Sequence, residues 1–461
     1  MPHLTLEDLK KLNGFKFESL VEFDQVSRVC IDSRIIERGD LYVAIKGNNF
    51  DGHSFIKEAF AKGAKAVLVN KRKASQIVKE NEETNIFSVS DTTKALGELA
   101  RIWRFKLKCD VLALTGSVGK TTTKELIASI LSTKFKTQKT FANNNNHIGV
   151  PLTIFSAGDE IEKLVLECGT NHPGEIEYLA EIAQPDYALI TMIGDSHLEF
   201  LINRNGVFKE KKSLFDVTLK REGKIFVNLD DKYLRKYANV KNAVSYSFVE
   251  KKANYFGEIL SFDKLYRPKI RINKGQKIFQ ARLPLFGESA AQNFLAAFAV
   301  CSELGVSFSE IKKALKELKP IDKRLKVLDI NTSIIIEDYY NANPQSMKEA
   351  LRCLAHIKKE RKIAILGDMF ELGEVALKEH VNLKKPIIDA NVNSLFLIGK
   401  NMKNLYEKIK NNKNIETKYF SNREKMKEYL LSVDFKNSAV LIKGSRGMKM
   451  EDFLEIVKQK L

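Results

Sequence analysis

The chain has 461 residues, more than one ordinary hydrophobic core supports, so length alone predicts two to four domains, with three the natural division. Hydrophobic residues make up 44% and charged residues 29%, a soluble globular balance, and the longest apolar stretch, Phe294 to Cys301, is too short to span a bilayer. Lys and Arg exceed Asp and Glu by 76 − 58 = 18, but the lysines are spread along the chain with no aromatic-interleaved basic stripe, which argues against nucleic acid as a partner. Met1 to Leu12 is polar and helix-like, without a basic-then-apolar leader, and a cytoplasmic protein is expected. Five singly scattered cysteines form neither a CxxC pair nor a Cys/His cluster, so no zinc site or disulfide framework is expected.

Three blocks follow in chain order. Residues 1–90 mix short β-like runs, Leu41–Ile45 and Ala66–Val69, with a helix from Ser54 to Lys62, and read as a small α/β domain. Residues 91–318 open with a helix from Thr92 to Phe105. The strand Val111–Leu114, a glycine loop and a helix from Thr121 come next, then strands at Leu164–Glu167, Tyr187–Ile193 and Lys224–Asn228, with a helix from Glu175 to Ile182 among them. That alternation predicts a mostly parallel sheet covered by helices. The stretch from Ala243 to Leu285 predicts an antiparallel edge, followed by a helix from Ala290 to Leu304. Residues 319–461 alternate strands Ile334–Glu337, Lys362–Leu366, Ser394–Ile398 and Ala439–Ile442 with helices, including Ser346 to Lys358, and predict a second, Rossmann-like doubly wound domain. Neither α/β block carries GxGxxG after a strand, which argues against a dinucleotide cofactor.

The strongest local signal is Thr115-Gly116-Ser117-Val118-Gly119-Lys120-Thr121-Thr122, between a strand and a helix. Its glycines let backbone N–H groups turn around phosphate oxygens, and the helix N-terminus adds a favourable dipole. Lys120 is expected to reach the β- and γ-phosphates of ATP and the Thr121 hydroxyl to ligate Mg²⁺. In open α/β sheets ligands gather at the carboxyl ends of strands. Glu167, His197 and Asp338 all follow strands and are candidates for Mg²⁺ or nucleotide contact. The amide-rich loop Asn143 to Pro151 suits an uncharged sugar or peptide, or is a plain turn.

With these residues stand Asp32-Ser33-Arg34, Gly39 to Gly47, Phe50-Asp51-Gly52-His53, the run from Glu167 to Ile176, Asp338 to Met347 (YNANP), Leu366 to Gly373 (LGDMFELG) and Lys443 to Gly447. Together they resemble the Mur ligase family over the full length. The YNANP and LGDMFELG pair resembles the branch that adds a dipeptide, and the DNPR motif of the branch adding a diamino acid is missing. The resemblance implies a first domain binding UDP-sugar, a central ATP-binding P-loop domain and a C-terminal domain for the amine substrate. It implies ATP-dependent joining of D-alanyl-D-alanine to UDP-N-acetylmuramoyl-tripeptide through an acyl phosphate. The product would be a pentapeptide precursor for peptidoglycan, and so for cell shape and division. Small molecules would be the partners, with neither membrane nor nucleic acid, and the working form a monomer.

By position, the resemblance implies Lys120 and Thr121 at the ATP phosphates and Mg²⁺, with Glu167 and His197 in the metal cluster. Asn293 would contact adenine, and Arg324 and Asp338 would reach the nucleotide from the third domain. Asn145, Asn146, Thr170, Asn171 and Glu175 would lie near the muramoyl peptide, and Ser33, Arg34 and Lys46 near the uridine diphosphate. Lys211 matches the family's carbamylated, metal-binding lysine. The usual pattern there is nearer AKGE, and Lys212 and Ser213 replace its glycine and glutamate, which leaves Lys209 and Lys212 as alternatives. After Gly287 the family's His and Asn are replaced by Ser289 and Ala290. Tyr340, Asn341 and Asn343 would present hydroxyl and amide groups to the amine substrate, with Ala342, Met369 and Phe370 as a pocket for its methyl groups. The alternatives are a sister ligase resembling folylpolyglutamate synthase and a P-loop regulatory or nucleic-acid-binding ATPase.

Overall fold

The computed structural model describes residues 3–81, 83–318 and 323–461. The expected boundary at Lys319 lies outside the described residues, as do Met1 and Pro2. Three sheets carry the architecture. In the first, the strands run Lys16–Ser19, Ile86–Val89, Ala66–Asn70, Leu41–Val43, Val29–Cys30, and all neighbours after the first pair are parallel. The expected helix at Ser54 is a 3-10 turn, Gly52–Phe55, that becomes the helix Ile56–Ala61. Asp91 then caps Thr92–Lys106, accepting from the N–H groups of Thr93 and Lys94. The apolar face of that helix packs against both the first and the second sheet, so a single core runs without a break across Ser90.

The second sheet has nine strands. From one edge they are Lys277–Arg282, Pro268–Lys274, Tyr255–Phe262, Ala243–Ser247, Lys224–Asn228, Tyr187–Ile190, Asp110–Thr115, Lys163–Glu167 and Thr137–Lys139. The central strands are apolar throughout, as burial on both faces demands. Part of the expected antiparallel edge is parallel. Ala243–Ser247 runs parallel to Lys224–Asn228, and Tyr255–Phe262 adds parallel to it, so only the last two pairings, of Pro268–Lys274 with Tyr255–Phe262 and with Lys277–Arg282, are antiparallel. The connection at 248–254 brings the chain back to start a strand in the same direction, and the Asn254 side chain closes it by accepting from the Ser245 N–H and hydroxyl, at 2.8 and 2.9 Å. Glu288–Glu303, apolar on nearly every face, is buried beside the P-loop helix Lys120–Leu131.

The third sheet runs Lys326–Ile330, Ser333–Asp338, Ser438–Lys443, Arg361–Gly367, Ser394–Ile398, Glu416–Phe420. All but the first pair are parallel, with a core on each face. Asn343 caps the helix Pro344–His356 in a reciprocal bond with Ser346, and Pro344 supplies the first turn. The second domain is keyed into this third one by Tyr266, at the tip of the hairpin between Tyr255–Phe262 and Pro268–Lys274. Tyr266 is buried among third-domain core residues, and its ring stacks on His356 at 3.8 Å. Among the described residues no helix is long and apolar enough to cross a membrane.

Glu303 ties the parallel part of the second sheet to its antiparallel extension. Its carboxylate meets Lys224 at 2.8 Å, the Tyr255 hydroxyl at 2.8 Å and Lys274 at 3.2 Å. Burial raises its pKa, but these three partners outweigh burial and lower it to about 2. A depressed carboxyl stabilises the fold above its ordinary pKa and loses that contribution as pH falls toward about 2. With solvent screening the contribution is about 1 kcal/mol at neutral pH. Glu303→Gln is therefore expected to lower the melting temperature at pH 7 but to converge with wild type in melts taken at progressively lower pH. A constant difference across that range would contradict the assignment.

Candidate active site

The strand Asp110–Thr115 delivers the chain into the glycine loop, and Lys120–Leu131 leaves it with Gly119 at φ +84°. The loop is strapped to the neighbouring strand end. The Ser117 N–H donates to the Met192 carbonyl at 2.9 Å, and its hydroxyl donates to the Gly194 carbonyl at 3.0 Å. Thr191 Oγ1 donates to the Val118 carbonyl at 2.6 Å. Gly116 must lack a side chain, because a Cβ there would stand 1.9 Å from Thr191 Oγ1. Asn293, on the buried helix, sits against Gly119 from above. Thr115 and Gly116 lie beneath the floor of a cleft of about 940 Å³, lined by Ser117 to Thr122 and by Asn293.

Parallel register sets Glu167 opposite Leu114, one residue before the loop begins. Its carboxylate is buried. Oε1 accepts from the Thr121 hydroxyl at 3.2 Å and from Asn145 Nδ2 at 3.0 Å, while Oε2 has no hydrogen-bond partner and lies 3.4 Å from the Lys124 ammonium. Lys124, itself fully buried, also donates to the Ala142 carbonyl at 3.0 Å and so holds the asparagine loop. Lys120 Nζ donates to the Gly116 carbonyl at 2.7 Å, and burial lowers its pKa against the pull of Glu167.

His197, in the left-handed region at φ +52°, lines the cleft with Nδ1 2.8 Å from Glu371 Oε2, though not in hydrogen-bond alignment. Burial lowers its pKa and the Lys120 charge adds to this, while Glu371 opposes both, so the imidazole is neutral at pH 7. Thr121, Glu167 and His197 thus present one hydroxyl, one carboxylate and one neutral imidazole. Among the described residues no group of three or more His, Cys, Asp or Glu is gathered for a metal. So sparse a set suits a cation that keeps water and phosphate oxygens, as Mg²⁺ does.

Lys211 lies behind this wall rather than in the cleft. Its helix Arg204–Lys220 turns Val207, Lys211, Leu214 and Phe215 inward. Lys209 is exposed and Lys212 pairs with Asp216, whereas Lys211 is fully buried and its Nζ has no hydrogen-bond partner. Burial, then the Lys120 charge, lowers its pKa well below that of an ordinary lysine. Neighbouring Cys168 is a neutral thiol, its pKa raised to about 12 by burial.

The remaining predicted residues divide. Asn145, Asn146, Thr170, Asn171 and Glu175 line the cleft beside the P-loop, and Arg324, Asp338, Tyr340, Asn341 and Asn343 line it from the third domain. Several have their polar groups engaged locally. Asn146 accepts from the N–H groups of Ile148 and Gly149, Glu175 from those of Asn171 and His172, and Thr170 donates to the His172 carbonyl. Asp338 accepts from the Leu325 N–H at 3.1 Å and from the buried ammonium of Lys443 at 2.6 Å, which positions Arg324 over the Tyr340 ring at 4.0 Å. Of the expected methyl pocket only Phe370 lines the cleft. Met369 is a third-domain core residue because His380 takes its N–H and draws it inward, and Ala342 is buried. Ser33, Arg34 and Lys46 stay in the first domain, outside the cleft. Ser33 donates to Glu58, Arg34 forks onto Asp32, and Lys46 pairs through its backbone with Asp51.

Sequence reasoning gave no role to Glu371, Lys124, Lys443, Asp231 or Glu210. Asp231 accepts from the Ile193 N–H at 2.6 Å, shaping the loop that carries His197. Glu210 accepts from the N–H groups of Gly174 and Ile176. For Lys124 the available signal was its place at the end of TGSVGKTTTK, and for Glu371 its place inside LGDMFELG.

Three α/β domains, with a phosphate loop in the second facing cations of the third, define a P-loop enzyme whose site is completed between domains. The Mur ligase middle domain model matches residues 114–301, the Mur ligase, glutamate ligase domain model residues 323–446, and the Mur ligase family, catalytic domain model residues 25–104. The chain is 34% identical over 436 residues to the UDP-N-acetylmuramoyl-tripeptide–D-alanyl-D-alanine ligase of Buchnera aphidicola subsp. Acyrthosiphon pisum, covering 93% of each chain. To the Bacillus subtilis ligase of the same name it is 31% identical, over 93% of this chain and 92% of the relative. It superimposes on MurF from Acinetobacter baumannii with a TM-score of 0.86 at 29% identity over 99% of each chain. On the Thermotoga maritima MurF ligase in complex with ADP the TM-score is 0.80 at 27% identity, over 94% of this chain and 97% of that one. The chain belongs to the Mur ligase family and is an ATP-dependent, ADP-forming ligase.

Gly116→Ala is expected to weaken ADP binding at least roughly tenfold, since the new Cβ forces the loop off Thr191. Calorimetric titration of the folded variant checks this, and wild-type affinity would contradict the strapped-loop geometry.

Proposed function

We propose that the chain joins D-alanyl-D-alanine to UDP-N-acetylmuramoyl-tripeptide, yielding UDP-N-acetylmuramoyl-pentapeptide, ADP and phosphate, as a cytoplasmic monomer. The carrying observation is the likeness, over nearly the whole chain, to ligases bearing that name, together with a cleft that sets the phosphate loop against the YNANP turn. The working assignment gives residues 1–90 to the UDP-sugar, 91–318 to ATP and 319–461 to the amine substrate.

A carboxylate at neutral pH is a poor electrophile. In the proposed reaction the tripeptide carboxylate attacks the γ-phosphorus of ATP, ADP leaves, and an acyl phosphate remains. The dipeptide amine then attacks the carbonyl carbon, phosphate departs, and the amine proton passes to solvent. The chain contributes position and charge. Lys120 moves from the Gly116 carbonyl to the β- and γ-phosphates, and Arg324 faces them from the third domain. Asn293 lies against the base, and Asp338, which lines the cleft and also fixes the Arg324 segment, reaches the nucleotide from the third domain. Asn145, Asn146, Thr170, Asn171 and Glu175 shape the peptide side, and Tyr340, Asn341 and Asn343 the amine side. Ser33, Arg34 and Lys46 are assigned to the uridine diphosphate. Thr121, Glu167 and His197 would hold Mg²⁺, which would screen phosphate repulsion.

Lys211 is proposed to carry a carbamate. An amine adds to CO₂ only when neutral, and the buried, unpartnered Nζ favours that form. Its carbamate would supply a carboxylate-like ligand to the metal.

Mass spectrometry of products formed from UDP-N-acetylmuramoyl-tripeptide, ATP and a panel of amines tests the reaction. D-alanyl-D-alanine is expected to outpace single amino acids, and faster turnover with glutamate or diaminopimelate would transfer the chain to a sister activity. For Lys211, native mass spectrometry in ¹³C-bicarbonate is expected to show one labile carboxyl adduct that Lys211→Ala lacks, with activity lost in the variant. An active Lys211→Ala enzyme without change in adduct would remove the carbamate.

A further inference from the structure

Glu371 is a third-domain carboxylate that crosses the domain boundary to a second-domain histidine. The loop that carries it is fixed from behind. The Met369 N–H donates to buried His380 at 2.9 Å, and the Phe370 N–H donates to Ser445 Oγ at 2.9 Å. Glu371 and His197, 2.8 Å apart, both occupy the left-handed region, at φ +62° and +52°. Neither is glycine, and the contact between the two loops spans these two left-handed positions. Backbone meets backbone at the same place. The Glu199 N–H points to the Glu371 carbonyl at 3.4 Å, and a Cβ on Gly373 would approach Glu199 Cα to 3.1 Å.

We infer that Glu371 is a positioning residue which latches the third domain onto the His197 loop, so that the phosphoryl-transfer site, rather than the ADP site, is completed across the Glu371–His197 contact. The inference rests on the ligase reading above. Its chemical sense is protection of the acyl phosphate. Docking that orders His197 also brings in Arg324 and the YNANP turn, so phosphoryl transfer is tied to the presence of the surface that receives the amine, and water is excluded. A contact that merely stabilised the third domain would have no reason to end on a residue of the P-loop cleft.

Glu371→Gly separates the latch from the fold, because glycine relieves the left-handed backbone while removing the carboxylate. The variant is expected to melt no lower than wild type and to bind ADP within about twofold of it, since the P-loop is untouched. It should have a larger radius of gyration in solution scattering with ADP bound, and a kcat reduced roughly tenfold or more, with the KM for the UDP-peptide little moved. Glu371→Asp should recover part of the loss. Adding His197→Ala to Glu371→Gly should cost little beyond His197→Ala alone, because both remove one contact. A kcat within about threefold of wild type, an unchanged radius, or losses that multiply in the double variant would each overturn the latch. Wild-type protein that makes no dipeptide adduct would instead overturn the ligase reading, which separates the two failures.

Discussion

Everything in the cleft is organised around one buried carboxylate. Glu167 is nearly inaccessible to solvent, yet its Oε2 has no hydrogen-bond partner. A charge in that position is costly unless neutralised. Lys124 neutralises it from one side, while Thr121 and Asn145 orient its other oxygen. The P-loop helix, the asparagine loop and the strand Lys163–Glu167 are thereby tied to a single point. The parallel register of the sheet puts that point one step from the glycine loop, so the fold and the chemistry share an origin.

From there the site is built outward through successive contacts. The phosphate loop is bonded to the strand end at Thr191 to Gly194, and that segment is in turn held by Asn228 and Asp231. The His197 loop beyond it rests partly on the third domain. On the far wall, buried Lys443 pairs with half-buried Asp338, which also accepts from the N–H of Leu325 beside Arg324. The phosphate loop is thus fixed within the second domain, while the facing wall of the cleft belongs to the third.

Much of this was legible in the sequence, for identifiable reasons. A glycine loop between a strand and a helix has one dominant physical use, and strand-end acids cluster at one edge in any parallel sheet. Among Lys209, Lys211 and Lys212, only Lys211 shares the inward helix face of Val207, Leu214 and Phe215. What escaped notice depended on partners that only the folded chain supplies. Met369 has the composition of a pocket residue, yet the N–H it gives to His380 turns it into the core. Asn343 lines the cleft and also satisfies the capping pattern before Pro344, and that cap forms. Glu371 is invisible without the fold because its histidine lies in another domain. The parallel strand after Ser247 was misjudged because one asparagine, Asn254, does the work of a longer connection.

Tyr266 carries a different lesson. Its hairpin belongs to the second sheet, but its ring is packed within the hydrophobic interior of the third, stacked on His356. The third domain is therefore not a self-contained cassette. Cut free at its own first strand, it would carry an open socket where the tyrosine belongs. Exchange of third domains between relatives must bring a matching plug and socket along with it.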